Sequence, residues 1–250
     1  MTTHVADQTG RVSPGARSRP WLIVSAAAIM WSGLTMVILH LINDGNPMLD
    51  TLSSYAFQDN APQLLATSML SMAIGSLTLL GALSAARIPL NRTTKILFGC
   101  WIGGLTAAAI FRARFSEYVG AISGDIHQYS CLVAFISVPA IGYSILDRLR
   151  DNAALSRNSA ILARWTRYST ACLLLFGISY LCSDFPDTPI IGELAELLPV
   201  GLVQRVALVV DICLLGALLL IARAASSPSF SARQDPPVPV LATEPHSLVR

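Results

Sequence analysis

What most constrains this chain is a series of long stretches in which no Asp, Glu, Lys or Arg occurs. Trp21 to Ile42 runs for 22 residues without a formal charge, and Ala61 to Ala86 is a second such run. A helix rises 1.5 Å per residue, so a run of about 20 residues crosses a hydrocarbon core about 30 Å thick. A soluble fold would have to hide these runs behind a charged surface, which ordinarily draws on about 25% charged residues. Here only 13% are charged and 53% are apolar, with a mean hydropathy of +0.58. The expected fold class is all-α, a polytopic membrane protein built as a six-transmembrane-helix bundle with the lipid bilayer as its solvent. The same composition excludes a disordered chain and a disulfide-stapled secreted module. A net charge of +2 leaves no footprint for nucleic acid.

The spans are expected at 21–42, 61–86, 95–117, 126–146, 168–183 and 197–222. The first exceeds the apolar region of a cleaved signal peptide, about 7–15 residues, and is read as a retained helix. Residues 1–20 and the Pro- and Ser-rich 223–250 read as disordered tails. Lys and Arg are shared out unevenly. Fourteen fall in the two tails and in the 87–95 and 147–167 loops, against three on the opposite side, Arg112, Arg114 and Arg205. That bias places both termini in the cytoplasm and agrees with an even number of spans.

The acids gather on the other side: Asp44, Asp50, Asp59, Glu117, Asp125, Asp184, Asp187, Glu193 and Glu196. Acidic residues contribute little to orientation. They are either solvated loops or the rim of a polar pocket at the outer mouth of the bundle. The cysteines Cys100, Cys131, Cys172, Cys182 and Cys213 lie in or beside spans without a CxxC pair and read as small apolar residues. No internal repeat supports an inverted-repeat transporter.

Ionisable side chains at membrane depth are costly and become functional candidates. His127 opens the fourth span, with Asp125 two residues before it and Arg112, Arg114, Glu117 and Tyr118 leaving the third span at the same height. A carboxylate near an imidazole suits a general base or proton shuttle, whereas a lone boundary histidine needs only a hydrogen bond. His40 and Asp44, four apart, share a face at the outer end of the first helix. These groups would suit a metal, but with two histidines in the spans none is assigned. No motif implies a cofactor. Asn46-Pro47 reads as an N-cap followed by proline, so a short interfacial helix is expected, with Met48, Leu52 and Tyr55 on one face. Ser53, Ser54 and Tyr55 could then donate hydrogen bonds into the mouth. In the sixth span Gln204 and Asp211 share a face, Arg205 can snorkel, and Asp211 must face the interior, with Arg112 or Arg205 the class of partner expected.

Ser53-Ser54-Tyr55, Phe115-Ser116-Glu117, Gly124-x-x-His127 and Gly201-x-x-Gln204-Arg205 follow one another in an order that resembles the DUF998 family of prokaryotic membrane proteins, over about residues 20–222. In that family's pattern an Asp stands where this chain has Glu117. The resemblance implies a prokaryotic plasma membrane. Through members in actinomycete natural-product pathways, including azoxy-compound biosynthesis, it also implies a membrane-embedded rearrangement enzyme.

Three functions are weighed. One is an intramembrane enzyme on a small or amphiphilic substrate, with His127 as acid/base, Glu117 and Asp125 orienting it, and Arg112 and Arg205 holding an anionic group; Gln204, Ser53, Tyr55 and Asp211 would line the site. Another is a transporter, exporter or self-resistance permease with Asp211 and His127 as a proton relay. The third is a scaffold whose polar groups satisfy one another. The partners considered are the bilayer, the substrate, and a second copy of the chain or a pathway partner enzyme.

Overall fold

The computed structural model describes residues 14–57, 62–111, 113, 120–183, 185 and 188–227. Among them the chain forms seven α-helices and no strand: α1 Pro14–Ile42, α2 Pro62–Ala85, α3 Arg92–Ile110, α4 Ala121–Leu149, α5 Ser156–Ser183, α6 Pro189–Leu197 and α7 Val200–Ala225. Helices are what an apolar chain must form in lipid, because each backbone group then finds its partner within its own segment. α1, α2, α3, α4 and α7 are long and apolar enough to cross a membrane. The chain is a multi-pass membrane protein.

Side-chain contacts fix an alternating, antiparallel order. Ser32 Oγ meets Ser68 Oγ at 3.0 Å and Ser25 Oγ donates to Gly75 O at 2.7 Å, pairing α1 with α2. Trp101 Nε1–H donates to Ser76 Oγ at 2.7 Å between α3 and α2, and Thr94 meets Ser144 at 2.7 Å between α3 and α4. α5 follows the whole of α4. Gly142 takes the Thr166 side chain where a Cβ would collide, Phe135 and Phe176 lie 5.4 Å apart, and Gln128 Nε2 donates to Tyr180 Oη at 3.2 Å. The main core holds Leu79, Leu83, Phe98, Val138, Ile141, Ile145, Leu162, Leu214, Leu218 and Ile221. Exposed apolar residues such as Met30, Trp31, Leu41, Ile74, Leu174 and Val209 form the lipid-facing surface. We call the end where α1 stops and α7 begins the mouth, and the opposite end the base.

Several elements depart from the sequence expectation. α1 starts at Pro14, seven residues before the expected span, and this extension is tied down: buried Ser18 donates to Ser226 Oγ at 2.6 Å at the end of α7. α5 is 28 residues long and begins well before Tyr168. Arg157, Arg164 and Arg167 in its first half hide it from an apolar count. The segment before α7 is a separate helix, α6, begun by Pro189 after Thr188 and stopped before Pro199, which opens α7. The expected helix from Pro47 is a turn at Asn46–Asp50 followed by a 3-10 helix, Leu52–Phe57. Asn46 does cap the turn, accepting from Met48 N at 3.0 Å. The change of helix type breaks the anticipated face: Leu52 and Tyr55 are buried, while Met48 is exposed.

Candidate functional site

At the mouth, the start of α7 clamps the segment that follows α1. Gly201 permits it, since a Cβ there would lie 2.5 Å from Asp50 O and 2.8 Å from the carbonyls of Pro47 and Met48. Leu202 N donates to Met48 O at 3.0 Å, giving one orphan donor of the helix start a partner. One turn on, Gln204 Oε1 accepts from Leu52 N at 2.8 Å. Arg205 completes the latch. Its Nη1 donates to Asp50 O at 2.7 Å and Gly201 O at 2.8 Å, its Nε donates to His40 Nε2 at 2.6 Å, and its guanidinium lies 5.1 Å from the Tyr55 ring centroid. The carbonyl of Met36 can only accept, so His40 Nδ1 carries the proton in its 2.7 Å bond, and Nε2 is free to accept from Arg205. Tyr55 meets the His40 ring edge-on at 5.7 Å and is buried among Leu39, Leu52 and Leu65. Ser53 Oγ and Thr51 Oγ1 pair at 3.2 Å and Ser54 Oγ donates to Thr51 O at 2.7 Å, so both serines support the segment. Arg205 Nη2 is buried without a partner among the described residues.

A second constellation lies where α4 begins against the end of α3. Gly104 lets these helices touch, since its Cβ would lie 2.7 Å from Ser130 O. Gly124 and His127, three apart, are both buried on that face of α4. The imidazole Nδ1 faces two carbonyls of the α3 terminus, Ala108 O at 2.9 Å and Phe111 O at 2.8 Å, so Nδ1 bears the proton and satisfies acceptors that the helix end leaves open. Nε2 faces Cys131 Sγ at 3.6 Å, a weak hydrogen bond within the same helix. His127 also lines a cavity of about 210 Å³, together with Gln63, Leu65, Ala66 and Met69 of α2 and Ala108 to Phe111. Asp125 is exposed and sits roughly 200° around α4 from His127. The backbone of α3, rather than Asp125, orients the ring.

Asp211 forms a third site, deep in α7. It is 5% exposed and accepts from Ser169 Oγ at 2.6 Å. Among the described residues its partner is this hydroxyl and not Arg205, which the loop carbonyls and His40 hold at the mouth, six residues away; Arg112, the other cation expected, lies outside the described residues. Among the described residues no cluster of His, Cys, Asp and Glu is placed to hold a metal.

The structure therefore brings Tyr55, Gln204 and Arg205 together, adds His40 to them, and keeps His127 and Asp211 apart from that group. Leu65 and Met69 border both the Tyr55 cluster and the His127 cavity, so the first turns of α2 form the partition. Arg112 and Glu117 lie outside the described residues. Sequence reasoning paired His40 with Asp44, which is exposed. The signal for its true partner was the four-residue spacing of Gly201 and Arg205, which puts the permissive glycine and the guanidinium on one face of α7.

No curated protein and no solved structure matches the chain significantly. A family model described as "Protein of unknown function (DUF998)" matches residues 24–221, from within α1 to near the end of α7, and the chain belongs to that family.

Proposed function

We propose that this protein is an integral membrane enzyme acting on a small or amphiphilic substrate in the cavity beside His127, with that imidazole as general acid/base. The observation that carries the reading is the state of the ring. Nδ1–H is spent on two backbone carbonyls, Nε2 is left with only the weak contact to Cys131 Sγ, and the side chain lines a cavity of about 210 Å³ of mixed polarity. A base held by its distal nitrogen in one tautomer is the arrangement proton abstraction needs. Arg112 and Glu117, which follow α3 in the sequence, are assigned the anion-holding and ring-polarising roles, and Arg205 behind the α2 partition supplies positive potential. The base, rich in arginine, faces the cytoplasm of a prokaryotic cell and α5 is the sixth span. The family resemblance extends the reading to an isomerase-type step in natural-product biosynthesis, such as azoxy-compound formation.

The test separates acid/base work from helix capping. An asparagine amide can stand in for Nδ1–H but offers no base. Cells expressing the wild type, His127→Asn or His127→Ala are compared for extractable metabolites, and each purified variant for thermal unfolding. The Asn variant should fold and lose the product. Identical products from that variant would leave His127 as a cap only, the scaffold reading. The buried Asp211 carboxylate favours a second reading, a proton-coupled carrier, which requires substrate-dependent proton movement in proteoliposomes that Asp211→Asn abolishes.

A further inference from the structure

At the base, far from His127 and Arg205, α4 and α5 part around a cavity of about 610 Å³. Its cause is local. The face of α5 turned to it carries Ser156, Ser159, Ala160 and Ala163, all small and spaced as one helical face, so nothing fills the crevice opposite Leu146 and Tyr143 of α4. Polarity changes along its length. On α4 the order Tyr143, Leu146, Asp147, Arg150 runs toward the base; on α5 the order Ser156, Ser159, Ala160, Ala163 runs away from it. The polar half of the cavity is thus basal and the apolar half lies toward the membrane interior. Asp147 and Arg150, three apart, present both signs of charge on one face of α4. Asp147 and Arg150 are both exposed to the crevice, so the basal end is open to a charged head group.

We infer that this crevice binds a zwitterionic aminophospholipid of the basal leaflet. Its phosphate lies against Arg150, with the positive end of the α5 dipole behind it. Its ammonium faces Asp147, and an acyl chain lies along Leu146, Tyr143 and Ala163. A soluble phosphate compound would leave the apolar half empty. An anionic lipid would leave Asp147 facing like charge.

The full-length protein in mild detergent is offered equal amounts of phosphatidylethanolamine, phosphatidylcholine and phosphatidylglycerol and examined by native mass spectrometry. Glycerophosphoethanolamine, the head group without chains, is tested separately. Phosphatidylethanolamine should be retained over phosphatidylcholine by about one and a half to fivefold, the range for a partly exposed charge pair. Asp147→Asn should bring that ratio to one, and Arg150→Gln, an exposed change that leaves the core intact, should reduce retention of all three. Ala160→Trp should empty the crevice. Preferential retention of phosphatidylglycerol, equal binding of the chain-free head group, or undiminished lipid on Arg150→Gln would overturn the assignment.

Discussion

Substituting Gly201 by alanine isolates the latch at the mouth in one methyl group. The new Cβ would stand 2.5 Å from Asp50 O and 2.8 Å from the carbonyls of Pro47 and Met48, all backbone atoms that cannot rotate aside. The chain has two responses. It can keep the latch and bear the overpacking, at about 1–3 kcal/mol. It can instead release residues 47–55, losing the bonds Leu202 N to Met48 O, Leu52 N to Gln204 Oε1 and Arg205 Nη1 to Asp50 O. Two neutral bonds at about 0.5–1.5 kcal/mol each and one charged bond at about 1.5–3 kcal/mol make release the costlier course. The latch should therefore stay closed but strained, and the gap to the open form should shrink by about 1–3 kcal/mol, raising the open population about 5- to 150-fold. Maleimide labelling of Ser53→Cys in membranes reads that population, with the native cysteines as background. Labelling should accelerate in Gly201→Ala and the unfolding temperature should fall. An unchanged labelling rate would refute the claim that this glycine is what lets the segment lie on α7.

Further outcomes follow from other contacts. Ser169→Ala strips the buried Asp211 carboxylate of its described donor and should cost about 1–3 kcal/mol of stability. Asp211→Asn keeps an oxygen for Ser169 and should cost less; equal melting temperatures for Ser169→Ala and wild type would contradict this. Trp101→Phe combined with Ser76→Ala in a double-mutant cycle should return a coupling of about 0.6 kcal/mol, the usual scale for such bonds in membranes. Gly142→Val places branches against Thr166 and should lower the unfolding temperature by loosening α4 from α5, an overpacking cost of about 1–3 kcal/mol.

The spans were legible because lipid demands long apolar helices, and α1, α2, α3, α4 and α7 are each long and apolar enough to cross, α7 in spite of Arg205 and Asp211. α5 was half legible. Its arginines break the apolar pattern, and only the match of Gly142 to Thr166 and Phe135 to Phe176 shows that it accompanies α4 throughout. α6 had readable signals in Pro189 and Pro199, which start it and its successor. The sites were less accessible to sequence because their bonds are distant in the chain. Spacing joined His40 to Asp44, yet the ring turns back to Met36 O and across to Arg205 on α7. His127 was picked out by its depth, but its partners are main-chain carbonyls, which no side-chain motif announces. Asp211 called for a cation by the same logic of depth, and its partner among the described residues is a serine.

Most direct of all is the protonation of the His127 ring. Nitrogen-15 NMR of histidine-labelled protein in bilayers, with the signal assigned by its loss in His127→Asn, distinguishes a protonated from an unprotonated ring nitrogen. The expected spectrum has Nδ1 protonated and Nε2 unprotonated. A ring protonated at Nε2 alone would turn the Nδ1 lone pair toward the Ala108 and Phe111 carbonyls, and would contradict both the cap and the proposed base.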